Sequence, residues 1–143
     1  MKEYKINIRP QDCKFFVYEE KRKVVCLIDG TEWRLLNFLR NYTTNVYADD
    51  DDVALSRSYV GVATCAPEDE WNEEFGKRLA FHKAKMKFDE SFFKHAQRVV
   101  NRYDTEIGRI ISGINKYGEQ ASGHAEKRDK KITNFLEKNK EES

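Results

Sequence analysis

The sequence predicts an α+β fold: a small three-stranded antiparallel sheet, a short helix, and one very long heptad-patterned helix, continuous or kinked. Three observations carry this. Two β-branched and aromatic runs, Phe15-Phe16-Val17-Tyr18 and Val24-Val25-Cys26-Leu27-Ile28, flank the charged stretch Glu19-Glu20-Lys21-Arg22-Lys23, the pattern of a β-hairpin. A third apolar run spans Arg57 to Cys65 and is closed by Ala66-Pro67-Glu68-Asp69. Phe93, Ala96, Val100, Tyr103, Ile107, Ile110, Ile114 and Tyr117 then recur at alternating steps of three and four, which keeps one apolar stripe facing a partner helix over many turns.

Taken in order, Tyr4, Ile6 and Ile8 alternate before Pro10, so the N-terminus reads as a short edge strand or a loose arm, because Pro cannot donate to a ladder. The hairpin strands follow, and Asp29-Gly30 closes the second, since Gly accepts the positive φ of a tight turn. Thr31 is the expected N-cap of a short helix through Asn41, with Leu35, Leu36, Leu39 and Tyr42 along one side. Asp49-Asp50-Asp51-Asp52 is expected to be a mobile acidic loop, because adjacent carboxylates repel and stay hydrated. The run lacks the alternating spacers and bend glycine of a calcium loop, so no metal is assigned to it.

In the third strand Gly61 implies close backbone approach or a bulge. Pro67, Glu68, Asp69 and Glu70 suit a helix start, where negative charge meets unpaired N–H groups. From Asp69 to Tyr117 the helix would reach roughly 70 Å at ~1.5 Å per residue. Trp71, Phe75 and Leu79 are expected to cover the sheet. Gly76, Ala80 and Ala84 lie on an adjacent stripe whose small size lets a strand or helix come close. Phe88-Asp89-Glu90-Ser91 is the weak point, where a new cap would give a hairpin; lacking Gly and Pro, a continuous or kinked helix is favoured. Gly118 and Ser122-Gly123 dissolve the pattern, and the last twenty residues are expected to be frayed or conditionally helical.

The expected divisions are therefore 1–70 (sheet and short helix), 69–120 (long helix, packing on the sheet and mediating oligomerisation) and 121–143 (charged tail). Charged residues make up 36% of the 143 residues, yet 26 Lys and Arg nearly cancel 25 Asp and Glu. The net charge of +1 argues against a general nucleic-acid binder and leaves local basic faces open. Cys13, Cys26 and Cys65, an odd number without close spacing, read as reduced thiols of a cytosolic protein. With no apolar leader and no run approaching 18 apolar residues, neither secretion nor membrane insertion is expected.

No catalytic set emerges, so no enzyme and no cofactor are expected. His82, His95 and His124 do not have metal-helix spacing, and no CxxC occurs. Cys65, placed before the helix start, is a candidate for a lowered thiol pKa, but no base is spaced to serve it. Recognition has more to work with. Arg98, Arg102 and Arg109 share a side of the helix off the apolar seam, Asn101 is adjacent, Phe92 flanks the seam, and Arg57 opens the third strand. Guanidinium groups match phosphate oxygens and an aromatic face stacks on a base. The ordinary alternative is a solvated face with ion pairs such as Arg102 with Glu106. The apolar row Phe93, Val100, Tyr103, Ile107, Ile110, Ile114 and Tyr117 is the expected oligomer interface.

The blocks Lys14-Phe15-Phe16-Val17-Tyr18-Glu19-Glu20-Lys21-Arg22, Tyr59 to Gly76 (with Gly61-Val62-Ala63-Thr64-Cys65-Ala66-Pro67-Glu68-Asp69-Glu70) and Leu79-Ala80 resemble small accessory proteins of phages and prophages of Gram-positive bacteria. More loosely, the chain resembles the phage anti-Thoeris sponges, small α+β oligomers that sequester cyclic ADP-ribose signals. That resemblance implies a non-catalytic counter-defence protein acting in the host cytoplasm as a homo-oligomer. It would bind a cyclic nucleotide through Phe92 on the base, Asn101 by hydrogen bonds, and Arg57, Arg102 and Arg109 on phosphates. Two alternatives stand beside it: a protein–protein inhibitor of a host defence complex such as a CRISPR nuclease, presenting the carboxylates of Asp49 to Asp52 with Glu68, Asp69, Glu70, Glu73 and Glu74, and a nucleic-acid-binding accessory protein.

Overall fold

The alternation of side chains along each strand decides which face is buried. The computed structural model describes residues 8–46 and 49–141. Strand β1 (Lys14–Tyr18) pairs antiparallel with β2 (Lys23–Asp29), which pairs antiparallel with β3 (Ser58–Thr64), in the order β1-β2-β3. Val24, Cys26 and Ile28 of β2 and Tyr59, Gly61 and Ala63 of β3 are all buried, while Val60 and Val62 are exposed. The register sets Cys26 opposite both Phe15 and Gly61. One face of the sheet therefore carries the core and the other is open, as period-2 patterning requires.

The long helix α3 runs Glu73–Glu141 without a break at Phe88 to Ser91, so the continuous alternative holds there. The chain divides into two units, Met1–Arg102 and Tyr103–Ser143. In the first, Ala80, Ala84, Phe88 and Phe92 of α3 join the core with Val24, Cys26, Ile28, Leu35, Leu55 and Tyr59. Burying Phe88 alone is worth about 2–3 kcal/mol. The second is helical as far as Glu141, and Ile107, Ile110, Ile111, Ile114, Tyr117, Ile132, Phe135 and Leu136 are exposed on it.

Several expectations are corrected. The small stripe makes the close contact with the sheet, Gly76 meeting Val24 and Ala80 meeting Gly61; of the large stripe Leu79 packs against the core as expected, whereas Phe75 is 56% exposed. Close approach of helix and strand backbones leaves no room for a large side chain at the crossing. Trp71 packs against the core from outside the helix, which begins at Glu73. Thr31 does not cap; it is fully buried and its Oγ1 donates to the Ser56 carbonyl at 2.6 Å, and the short helix α1 is Arg34–Leu39.

The acidic run is ordered as a one-turn helix α2 (Asp50–Val53), because a nearby arginine offsets the repulsion. Residues 121–141, expected to be frayed or conditionally helical, are helical; Lys and Glu, good helix formers, outweigh Gly123 locally. The alternation at Tyr4 and Ile6 lies outside the described residues, and Pro10–Asp12 forms a single 3-10 turn.

Candidate functional site

Phe38 of α1 and four residues of α3, Phe88, Phe92, Phe93 and Ala96, form an apolar groove of about 550 Å³, with the Lys85–Asp89 ion pair at its side. The helical spacing 85, 88, 89, 92, 93, 96 keeps these side chains on one side of α3. Phe38 meets Phe92 edge-on at 5.5 Å between ring centroids, and Phe92 meets Phe93 likewise at 5.5 Å, the geometry favoured by aromatic quadrupoles. Phe92 itself is 7% exposed and belongs to the core, whereas Phe93 is 68% exposed. Of the groove rings, Phe93 is thus the most exposed.

The other residues expected to bind a ligand do not converge on this groove's lining. Arg102 forms ion pairs with Asp49 at 2.8 Å and Asp52 at 3.0 Å. The backbone carbonyl of Asp52 also accepts from His95 Nδ1 at 2.8 Å. Together these contacts fix α2 against α3, so Arg102 pairs with α2 rather than with Glu106. Glu106 pairs instead with Arg109 at 2.8 Å. Arg57 lies 3.9 Å from Glu32 and is mostly exposed, and Asn101 accepts from Gln97 at 3.0 Å. A phosphate would therefore compete with a carboxylate at each of the three arginines.

A second cavity, of about 310 Å³, lies where β3 passes into the start of α3, lined by Thr64, Cys65, Asp69, Trp71, Phe75 and Leu79 among others. Three residues of its lining, Cys65, Ala66 and Asp69, are held by Arg22, whose role has no signal in the sequence. Arg22 sits in the β1–β2 turn with a φ of 54°, and its Nη2 donates to Cys65 Sγ at 3.2 Å, to the Ala66 carbonyl at 3.1 Å, and to the Asp69 carbonyl. The Cys65 N–H donates back to the Arg22 carbonyl at 2.7 Å. Arg22 thereby ties the hairpin turn to the strand–helix connection. A positive φ on a non-glycine residue in a charged turn leaves no signal in sequence. Cys65 lies eight positions ahead of Glu73, where the helix begins.

The edge of β3 is closed by the helix above it. Lys83 Nζ donates to the Val62 carbonyl at 3.2 Å and Lys87 Nζ to the Val60 carbonyl at 2.9 Å. Two lysines one turn apart thus satisfy carbonyls that would otherwise offer a template for a further strand.

Among the described residues, no three His, Cys, Asp or Glu side chains lie close enough to hold a metal ion. No helix among them is long and apolar enough to cross a membrane. No protein-family model matches the chain, and neither a curated protein nor a solved structure shows significant similarity to it.

Proposed function

We propose that this protein is a non-catalytic binding protein that works as a homo-oligomer, a phage counter-defence protein sequestering a cyclic nucleotide signal of the cyclic ADP-ribose type. One observation carries the oligomer: Ile107, Ile110, Ile114 and Tyr117 are all exposed on a helical segment at heptad spacing. Helices in water owe most of their stability to packing of an apolar face, and at this spacing the natural cover is another helix. The aromatic groove at Phe93 supports the ligand half of the proposal, with a size within the range of small-molecule sites. Lys85 is its lining cation and is itself paired with Asp89, so a phosphate there would compete with a carboxylate as it would at Arg57, Arg102 and Arg109.

Titration calorimetry with cyclic ADP-ribose isomers tests the ligand. Heat and saturation are expected with at least one isomer, lost in Phe93→Ala. An absence of heat across the set removes the sequestering activity. A second reading, inhibition of a host defence complex by direct contact, is favoured by the exposure of Glu68, Asp69, Glu70, Glu73 and Glu74. Asp49, Asp50 and Asp51 are exposed as well, with Asp49 and Asp52 partly neutralised by Arg102. A stoichiometric protein retained from host lysate, with no small molecule released on denaturation, selects that reading.

A further inference from the structure

We infer that the open face of the sheet binds single-stranded nucleic acid, with Phe16 and Tyr18 stacking on bases and the lysines around them meeting phosphates. This face shares no residue with the lining of the groove at Phe93, so its binding is independent of the sequestering reading.

Alternation along β1 turns Phe15 and Val17 toward the core and leaves Phe16 and Tyr18 on the opposite face, 44% and 43% exposed. The register sets Phe16 in one row with Val25 and Val62, and Lys14 in the next with Leu27 and Val60. Apolar side chains gathered on a solvent face mark an interaction site. At about 3.4 Å per residue the two rings stand roughly 7 Å apart along the strand, so each can hold its own base of an extended chain. Exposed aromatics on a sheet are a general stacking platform for unpaired bases.

Charge selects the partner. Lys14 and Lys23 stand on the face itself. Lys21 and Lys23 place Nζ at 5.9 and 5.5 Å from the centroid of the Tyr18 ring. Lys83 and Lys87 lie along the free edge of β3, each donating to one backbone carbonyl, and an ammonium has three donors to share. The strands put one carboxylate on this face, Asp29 at the far end of β2, and the hairpin turn adds Glu19 and Glu20. These five lysines outnumber the carboxylates of the sheet and its turn, although the chain as a whole nearly balances.

A wholly apolar partner would have to strip those ammonium groups of water. A second copy docking by the same face would set lysines against lysines. A polyanion that also carries flat rings satisfies both the charges and the aromatics.

Fluorescence anisotropy of the full chain with labelled oligo-dT and oligo-rU tests this, each of about 12 nucleotides, within the range of single-stranded site sizes. A duplex of the same length is the control. The single strand is expected to bind more tightly than the duplex, whose bases are not free to stack. Its affinity should fall with salt at a logarithmic slope of about −2, for roughly three phosphate contacts, and Lys14→Gln should flatten that slope. Phe16→Ala is expected to weaken binding about fivefold or more, and Phe16→Tyr to retain it. Tyr18→Ala gives the same readout should Phe16→Ala lose its circular dichroism. The tighter of the two oligonucleotides names DNA or RNA as the source.

No binding of either strand at low salt overturns the inference, as does equal binding of the duplex or a folded Phe16→Ala chain that binds like the parent. Absent binding together with a lower sedimentation mass for Phe16→Ala assigns the face to a second copy instead.

Discussion

Gly61 of β3 lies so close to Ala80 of α3 that a Cβ at Gly61 would stand 2.1 Å from the Ala80 carbonyl oxygen. Neither backbone can yield without moving the helix off the sheet. Gly61→Ala is therefore expected to destabilise the fold by about 3 kcal/mol or more, the upper end of overpacking costs. Gly108 has open space around its missing Cβ, so Gly108→Ala is expected to gain up to about 1 kcal/mol from helix propensity. Urea unfolding followed by circular dichroism measures both, and equal effects would contradict the close approach.

Arg102 holds Asp49 and Asp52 and so keeps α2 on the helix. These groups are partly exposed, and solvent screening limits what they contribute. Arg102→Ala is expected to cost about 1 kcal/mol at low ionic strength and less in high salt. Hydrogen exchange should show the loss in α2 before it appears in the sheet.

Tyr59 is buried, with its hydroxyl donating to Ser91 Oγ at 2.6 Å and accepting from the Ser56 N–H at 3.2 Å. Tyr59→Phe keeps the ring packing on Phe88 and leaves those partners unsatisfied. A loss of about 1–2 kcal/mol in the denaturation midpoint analysis is expected.

Burial pushes the Cys26 thiol up from its ordinary 9.0 to about 12, with the neighbouring Cys13 adding to the effect. Between those values the folded chain keeps a proton that the unfolded chain has lost. The associated stability is complete below pH 9 and falls as pH rises toward 12. The destabilisation produced by Cys26→Ala should therefore shrink over that interval, by at most about 1.4 kcal/mol per pH unit. A pH-independent difference between the two proteins would refute the assignment.

The hairpin, the third strand and the unbroken helix were legible because period 2 and period 3.5 are written in residue types. Gly61 reads as a close backbone approach or a bulge, and of the two the structure holds the approach, to Ala80 and Ala84 of the helix. What was hidden is what depends on partners distant in sequence. Phe92 reads as a flank because nothing local reveals that Phe38 meets it. Arg102 reads as a phosphate contact or as a partner of Glu106, because Asp49 and Asp52 are brought to it only by the fold. Arg22 was invisible because its role depends on a positive φ and on three acceptors more than forty residues away.

The central claim is that a second copy covers the apolar row of Ile107, Ile110, Ile114 and Tyr117. Sedimentation equilibrium of the full chain, on the order of tens of micromolar because association follows mass action, tests it most directly. The expected result is a mass at least twice the 16.9 kDa chain, reverting to a single chain in Ile110→Asp. A wild-type particle of 16.9 kDa would contradict it.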